Sequence, residues 1–431
     1  MMVSSDSDFE RPYFLSLEVP HGEPWDSGIQ TTRILLKAGF KSYAAGGCVR
    51  DLLLGLPVHD IDIATAAHPE QVEKIFLAHN WRTIAVGKSF GVIIVVTPSG
   101  LNIEIATFRH DGAYIDGRRP QSITFSDVKD DVQRRDFTIN ALLYDVERGM
   151  VIDYVHGRTD LFAGIIRAVG DPFARLQEDR LRVLRAIRFA ARLNFKIEPL
   201  TWEALKATSL IGLSGERLMQ ELMKALAGLG RSRWLKLLFD SSHLMNLCTP
   251  LATCHLEDII VLGRRLDELQ SVDPFSLQLA LWLSPLSQDS VLSWLDSQRL
   301  SSTVVRTTRW LLEHAVQWSR LQSMTLATRR RLWRHADGLL LGRFIELLHG
   351  DHPLRREAVR TLVQEMQTEQ QIAWKSPFRA EELIAMGLAQ GPKLGVLLRE
   401  LDDADLEGRF INHAAAETFA RARIAQLETL K

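Results

Sequence analysis

Asp60 and Asp62, in the run Val58-His-Asp-Ile-Asp-Ile63, are two carboxylates at a spacing that suits metal chemistry. On a strand, side chains at i and i+2 share one face. The two aspartates then point one way, and Ile61 and Ile63 point into a core. Such a pair repels itself unless a cation joins it. It can hold a hard cation such as Mg²⁺, with water and phosphate completing the shell. Glu104 sits in Leu101-Asn-Ile-Glu-Ile-Ala-Thr107, where apolar and polar residues alternate in the same way. If this strand neighbours the first, three acids meet, and that arrangement suits two-metal phosphoryl or nucleotidyl transfer. A DxD pair alone also fits a solvated strand face.

Upstream stands Gly46-Gly47-Cys-Val-Arg50-Asp51. Adjacent glycines let backbone N–H groups approach an anion closely, and a helix start favours phosphate. A second feature is Glu178-Asp179-Arg-Leu-Arg182-Val-Leu-Arg185-Ala-Ile-Arg188-Phe189. Arginines three residues apart on a helix form a shallow spiral along one side. Asp179 offers acceptors and Arg182 donors one turn apart, which matches the polar edge of a nucleobase. Arg185 and Arg188 can neutralise phosphate or neighbouring acids; ordinary (i, i+3) ion pairs on a solvated helix also account for the pattern. Between the two features, Arg135, Asp136 and Asn140 are suited to a ribose or triphosphate. A loop bearing Arg118 and Arg119 is expected near the same cleft.

These residues are positioned by a mixed α and β segment. Strands are expected at 42–45, 58–64, 83–86, 92–97, 101–107, 121–125 and 151–155. Helices are expected at 27–38, with Ser27 as cap and Gly39 as stop, and at 69–79. Beyond Asp171-Pro172 almost only helical periodicity is present. The expected fold is an α+β head, a small mixed sheet with helices, followed by an all-α neck, body and tail. The boundaries are a mobile segment 1–25, head 26–165, neck 166–233, body 234–345 and tail 346–431.

Lys and Arg total 52 against 53 for Asp and Glu, a net charge of −1. That excludes a wholly basic nucleic-acid coat and leaves room for local patches. The cysteines, Cys48, Cys248 and Cys254, form no CxxC pair, which argues against a disulfide framework and fits a reducing cytoplasm. No signal peptide is expected, and the longest apolar run, residues 91–96, is strand-sized, so no membrane span is expected.

Together these motifs resemble the class II tRNA nucleotidyltransferase and poly(A) polymerase family. GGCVRDLLLG…DID resembles its nucleotidyltransferase signature, RRDFTINAL its ribose-binding motif, and EDRLRVLRAIRF the motif that selects CTP or ATP. Ser214-Gly-Glu-Arg217-Leu resembles the next helix-turn element, and residues 382–395 the tRNA-holding tail of the CCA-adding branch. The resemblance runs from about residue 30 to about residue 425. It implies that Asp60 and Asp62 hold Mg²⁺, two ions during catalysis, with Glu104 assisting. It implies that Gly46, Gly47 and Arg50 contact the triphosphate, and that Arg135 and Asp136 hold the sugar. It implies that Asp179 and Arg182 read the base, with Arg185 and Arg188 lining the pocket. The substrates would be CTP, ATP and tRNA, with no obligatory protein partner. RNA contacts are expected at Arg329, Arg330, Arg331 and Arg334, and at Gly391 and Lys393. A poly(A) polymerase, an enzyme adding only A or only CC, and a non-catalytic RNA-binding relative are the rival readings. Where many relatives carry a His-Asp phosphohydrolase pair, this chain has Leu281-Trp-Leu-Ser-Pro285, so a helical scaffold is expected there.

Overall fold

The computed structural model describes residues 13–112, 122–316, 324–350, 353–372 and 375–429. The chain divides into two compact units, Met1–Thr253 and Cys254–Lys431. The expected order, an α+β head followed by helices, is the one observed.

The first unit is built on an eight-stranded sheet. Its strands are β1 (Tyr13–Ser16), β2 (Ser42–Ala45), β3 (Asp62–Thr65), β4 (Arg82–Gly87), β5 (Val92–Val96), β6 (Asn102–Thr107), β9 (Leu143–Asp145) and β10 (Met150–Asp153). The order is β1-β10-β9-β2-β3-β6-β5-β4. Only β3 and β6 pair in parallel, which makes the sheet mixed. β7 (Arg109–Asp111) and β8 (Ile123–Phe125) form a separate ribbon, and β11 (Ile165–Ile166) pairs with β12 (Lys196–Ile197). The expected loop with Arg118 and Arg119 falls at 113–121, outside the described residues. Alternation in β6 buries Ile103 and Ile105 and leaves Glu104 outside, as a one-sided strand requires.

The helices of this unit are α1 (Trp25–Lys37), α2 (Gly47–Leu53), α3 (Pro69–Ala78), α4 (Val128–Gln133), α5 (Gly157–Ala163), α6 (Pro172–Glu178), α7 (Leu181–Arg192), α8 (Pro199–Ala207), α9 (Gly215–Ala227) and α10 (Arg231–Asp240), with short turns α11 (Leu244–Leu247) and α12 (Thr249–Ala252). The second unit is helical: α13 (Leu256–Asp267), α14 (Phe275–Leu283), α15 (Gln288–Ser297), α16 (Ser302–Ala315), α17 (Leu326–Trp333), α18 (Gly338–His349), α19 (Pro353–Gln370), α20 (Ala380–Ala385), α21 (Pro392–Leu406) and α22 (His413–Thr429). α14 is buried from Ser276 to Leu283, with Trp282 near its C-terminal end, so the Leu281-Trp-Leu283 part of the LWLSP stretch is core. The last helices gather a small core of their own, from Phe378 to Ile424.

Five expectations are corrected. Residues 13–16 are not mobile: they add an edge strand to β10, and Leu17 bonds the carbonyl of Gly149 at 2.8 Å. α1 starts at Trp25 rather than at a Ser27 cap; burial of Trp25 extends the helix, and the Ser27 hydroxyl bonds Glu23 at 2.7 Å inside it. The strand expected at 58–64 begins only at Asp62, because its partner β2 ends at Ala45, opposite Asp62, and Gly46 then turns into α2. Residues before Asp62 have no ladder to join. The β11–β12 pair adds a strand beyond residue 171. Finally, residues 234–253 belong with the first unit, where Trp234, Leu235 and Leu238 bury α10, which packs on α7.

Candidate active site

β3 and β6 place Asp62 directly opposite Glu104. Both line a cleft of about 390 Å³ with Gly46, Gly47, Asp179 and four arginines, 134, 135, 182 and 185. Ile61 and Ile63 are buried on the other face, as the alternation requires. Asp62 opens to the cleft, yet the protein around it strips enough water to push its carboxyl up to about 6. Glu104 adds repulsion, Arg135 counters it, and Asp60 adds a smaller repulsive share. Asp60 lies just before the strand, is exposed and does not line the cleft.

An aspartate whose ionised form is disfavoured by Glu104 and Asp60 suits a divalent cation held by oxygen donors. Among the described residues, no group of three or more His, Cys, Asp or Glu is gathered as a ready-made metal cage.

Gly46 has φ +78°, and a Cβ there would lie 3.2 Å from Arg135 Nη1. A side chain would therefore crowd the guanidinium and close the backbone approach to the cleft. Arg135 donates to Asp131 Oδ2 at 3.0 Å and to the Asn140 carbonyl at 3.3 Å. Its Nε is buried with no partner, and Nη1 and Nη2 keep further N–H donors beyond these two bonds. Asp131 is buried, which alone would raise its pKa; Arg135 and Arg134 outweigh this and hold it below the usual range.

The arginine helix is α7. Val183, Leu184, Ala186, Ile187, Ala190 and Ala191 bury its inner side. Its three spaced arginines each take a different acid at 2.7 Å: Arg182 takes Glu178, Arg185 takes Asp136 and Arg188 takes Glu221. The spiral is thus not a solvated face with (i, i+3) pairs. Arg182 also donates to the carbonyls of Arg175 and Arg134, at 2.8 and 3.1 Å. Asp179 accepts from Arg217 Nη2 at 2.9 Å and from the Leu181 amide at 3.1 Å. Asp179 and Arg182 both border the cleft, each held from behind.

Asp136 accepts two bonds from Arg185, at 2.9 and 2.7 Å, and one from Asn140 at 3.1 Å. Burial alone would raise its pKa; the Arg185 charge and these bonds outweigh it and hold the carboxyl at about 2.

Arg50 and Arg188, like Asp60, are expected ligand contacts that do not line the cleft. Arg50 is buried, bonding Asp51 at 2.7 Å and the Asn140 side chain at 2.6 Å. Arg188 lies over the Phe189 ring at 4.5 Å and is bound to buried Glu221. Sequence reasoning assigned no role to Arg134 or Arg217. The doubled arginine at 134–135 was the available signal for the first, and nothing local marked the second.

The expected RNA contacts are largely occupied within the second unit. Arg330 and Arg334 clamp Glu369 at 2.8 and 2.7 Å, and Arg331 pairs with Asp403 at 2.6 Å. Arg329 lies over Trp333 at 5.5 Å. Lys393 donates to the Leu427 carbonyl at 2.7 Å, and Gly391 precedes α21.

Comparison with known proteins agrees with this arrangement. Residues 42–167 match the family described as poly A polymerase head domain, and residues 194–252 the one described as probable RNA and SrmB-binding site of polymerase A. A CCA-adding enzyme of Levilactobacillus brevis is 33% identical over 388 residues, spanning 88% of this chain and 93% of that protein. One of Streptococcus agalactiae is 32% identical over 394 residues, spanning 88% and 92%. The chain belongs to the CCA-adding enzyme family. Its fold is that of the Bacillus stearothermophilus CCA-adding enzyme solved in complex with CTP, with TM-score 0.78, 26% identity and coverage of 94% and 100%. The Thermotoga maritima CCA-adding enzyme complexed with tRNA_CCA shares the fold at TM-score 0.66 and 23% identity, over 97% and 99% of the two chains. No described helix is long and apolar enough to cross a membrane.

Proposed function

We propose that this protein is a template-independent nucleotidyltransferase that adds CMP and AMP, from CTP and ATP, to the 3′ end of tRNA and so builds or repairs its CCA terminus. The observation that carries the reading is the meeting, in one cleft, of the Asp62–Glu104 pair with Asp179, Arg182 and Arg185. The tRNA 3′-hydroxyl attacks the α-phosphate, and pyrophosphate leaves. Asp60 and Asp62, assisted by Glu104, would hold Mg²⁺, two ions during catalysis. When bound, Mg²⁺ lowers the pKa of the attacking hydroxyl and offsets charge on the triphosphate.

The chain's own residues bind and orient. The backbone at Gly46 and Gly47 lets the triphosphate approach, and the Arg135 guanidinium, which lines the cleft, donates to it. Asp136, clamped by Arg185, faces the sugar. Asp179 and Arg182 present an acceptor and donors to the base edge. Arg217 and Glu178 already orient them, so little ordering remains at binding. Arg50 and Arg188 act from behind, one through Asn140 and one by pinning α9. The tRNA is held by the helical unit through shape and phosphate contacts, since duplex RNA hides its base edges in a deep groove. Three free cysteines suit work in the reducing cytoplasm.

The test is incorporation of labelled CTP and ATP into tRNA trimmed of its CCA end, with Asp62→Ala as control. Uptake of both nucleotides by the wild type and of neither by the variant is expected. Uptake of ATP alone, on oligo(A) as readily as on tRNA, would make it a poly(A) polymerase.

A further inference from the structure

The second unit contains a concavity larger than the active-site cleft, about 620 Å³ against about 390 Å³. It lies within the size range of small-ligand pockets, roughly 300–1,000 Å³. Three helices converge on it. Arg264 and Arg265 stand in the last turn of α13, Arg343 on α18, and Arg356 and Arg360, one turn apart, on α19. Five guanidinium groups share the wall with three acids, Asp267, Glu268 and Glu346.

Two of the five are already engaged. Arg343 pairs with Glu346 at 2.8 Å and donates to the Glu268 carbonyl at 2.7 Å, and Arg356 donates to the Gly350 carbonyl at 3.1 Å. These bonds offset the carbonyl ends of α13 and α18, which would otherwise repel an anion. The side chains of Arg264, Arg265 and Arg360 have no hydrogen bond or ion pair among the described residues. Arg265 Nε is moreover buried without a partner. The exposed heads of Arg264 and Arg360 therefore keep donors for the oxygens of a ligand.

We propose that this pocket binds a small polyphosphate, an anion with adjacent phosphate groups such as pyrophosphate or the phosphate chain of a nucleotide. Guanidinium forks match phosphate oxygens two at a time, which an ammonium does not. Donors converging from three helices on one point suit charges packed on neighbouring phosphorus atoms. The backbone of an RNA spreads its charges along the strand and suits a stripe of cations instead.

Isothermal titration of inorganic pyrophosphate into the full chain, in the absence of divalent metal, tests this. Two classes of site are expected, one in the active-site cleft and one here. The combined substitution Arg264→Ala and Arg360→Ala, at exposed positions, should weaken the second class at least tenfold, with an unchanged melting temperature. Arg135→Ala should affect only the first. An isotherm unchanged by the double substitution overturns the proposal. If the same variant instead loses affinity for tRNA, the arginines belong to an RNA surface.

Discussion

Replacing Asp136 by Asn keeps the side-chain shape and removes one charge from the Asp136–Arg185 pair. The carboxyl is held at about 2 in the folded protein, against an ordinary value of 3.8, and its side chain is only 10% exposed. A shift of that size corresponds to roughly 2 kcal/mol of stability at neutral pH. Because the folded pKa is depressed, this contribution is complete above the unfolded value and is lost as pH falls toward 2. Asp136→Asn should therefore lower the melting temperature of the first unit by about 4–8 °C at pH 7, at some 2–4 °C per kcal/mol for a unit of this size. The gap should narrow to roughly half near pH 3. Differential scanning calorimetry of the full chain at both pH values measures it. No destabilisation at pH 7, or a gap that ignores pH, would refute the claim that Arg185 and Asp136 form a strong, mutually stabilising pair.

Asp62→Ala should abolish nucleotide addition without lowering the melting temperature, because burial and Glu104 disfavour the ionised carboxylate by more than Arg135 favours it. Turnover near the wild-type level would show that the acid pair is not the metal site. Asp179→Ala or Arg182→Ala should cost about 1–3 kcal/mol of discrimination between CTP or ATP and the other nucleotides, read from competitive incorporation of all four. Unchanged preference in both variants would remove base reading from this helix. Deleting 376–431 takes away a self-contained core, so it should raise the KM for tRNA strongly while CTP binding to the first unit persists; a KM that does not move would place tRNA binding elsewhere.

The site was most legible where chemistry follows local pattern. Alternation in 61–63 and 101–107 put Asp62 and Glu104 on one face, and the register of β3 with β6 is the consequence. The three-residue arginine spacing marked α7. What stayed hidden were partners distant in sequence. Arg50 reads as a cleft cation until Asn140, 90 residues on, takes it up. Arg330 and Arg331 read as a basic surface, yet Glu369 and Asp403, 39 and 72 residues downstream, occupy them. The same is true of Arg188, taken by Glu221. An arginine's role depends on whether an acid lies within reach in the folded state, and spacing along the chain carries no record of that. Asp60 fell short of its strand for a similar reason, since the end of β2 decides where β3 can begin.

The central claim is that one cleft chooses C, then C, then A, without a template. It is tested most directly by incubating tRNA lacking its CCA end with the full chain, Mg²⁺, CTP and ATP, and sequencing the 3′ ends. The account predicts ends that read CCA and stop there. Ends that stop after CC, ends extended only when CC is already present, or long runs of A would contradict it.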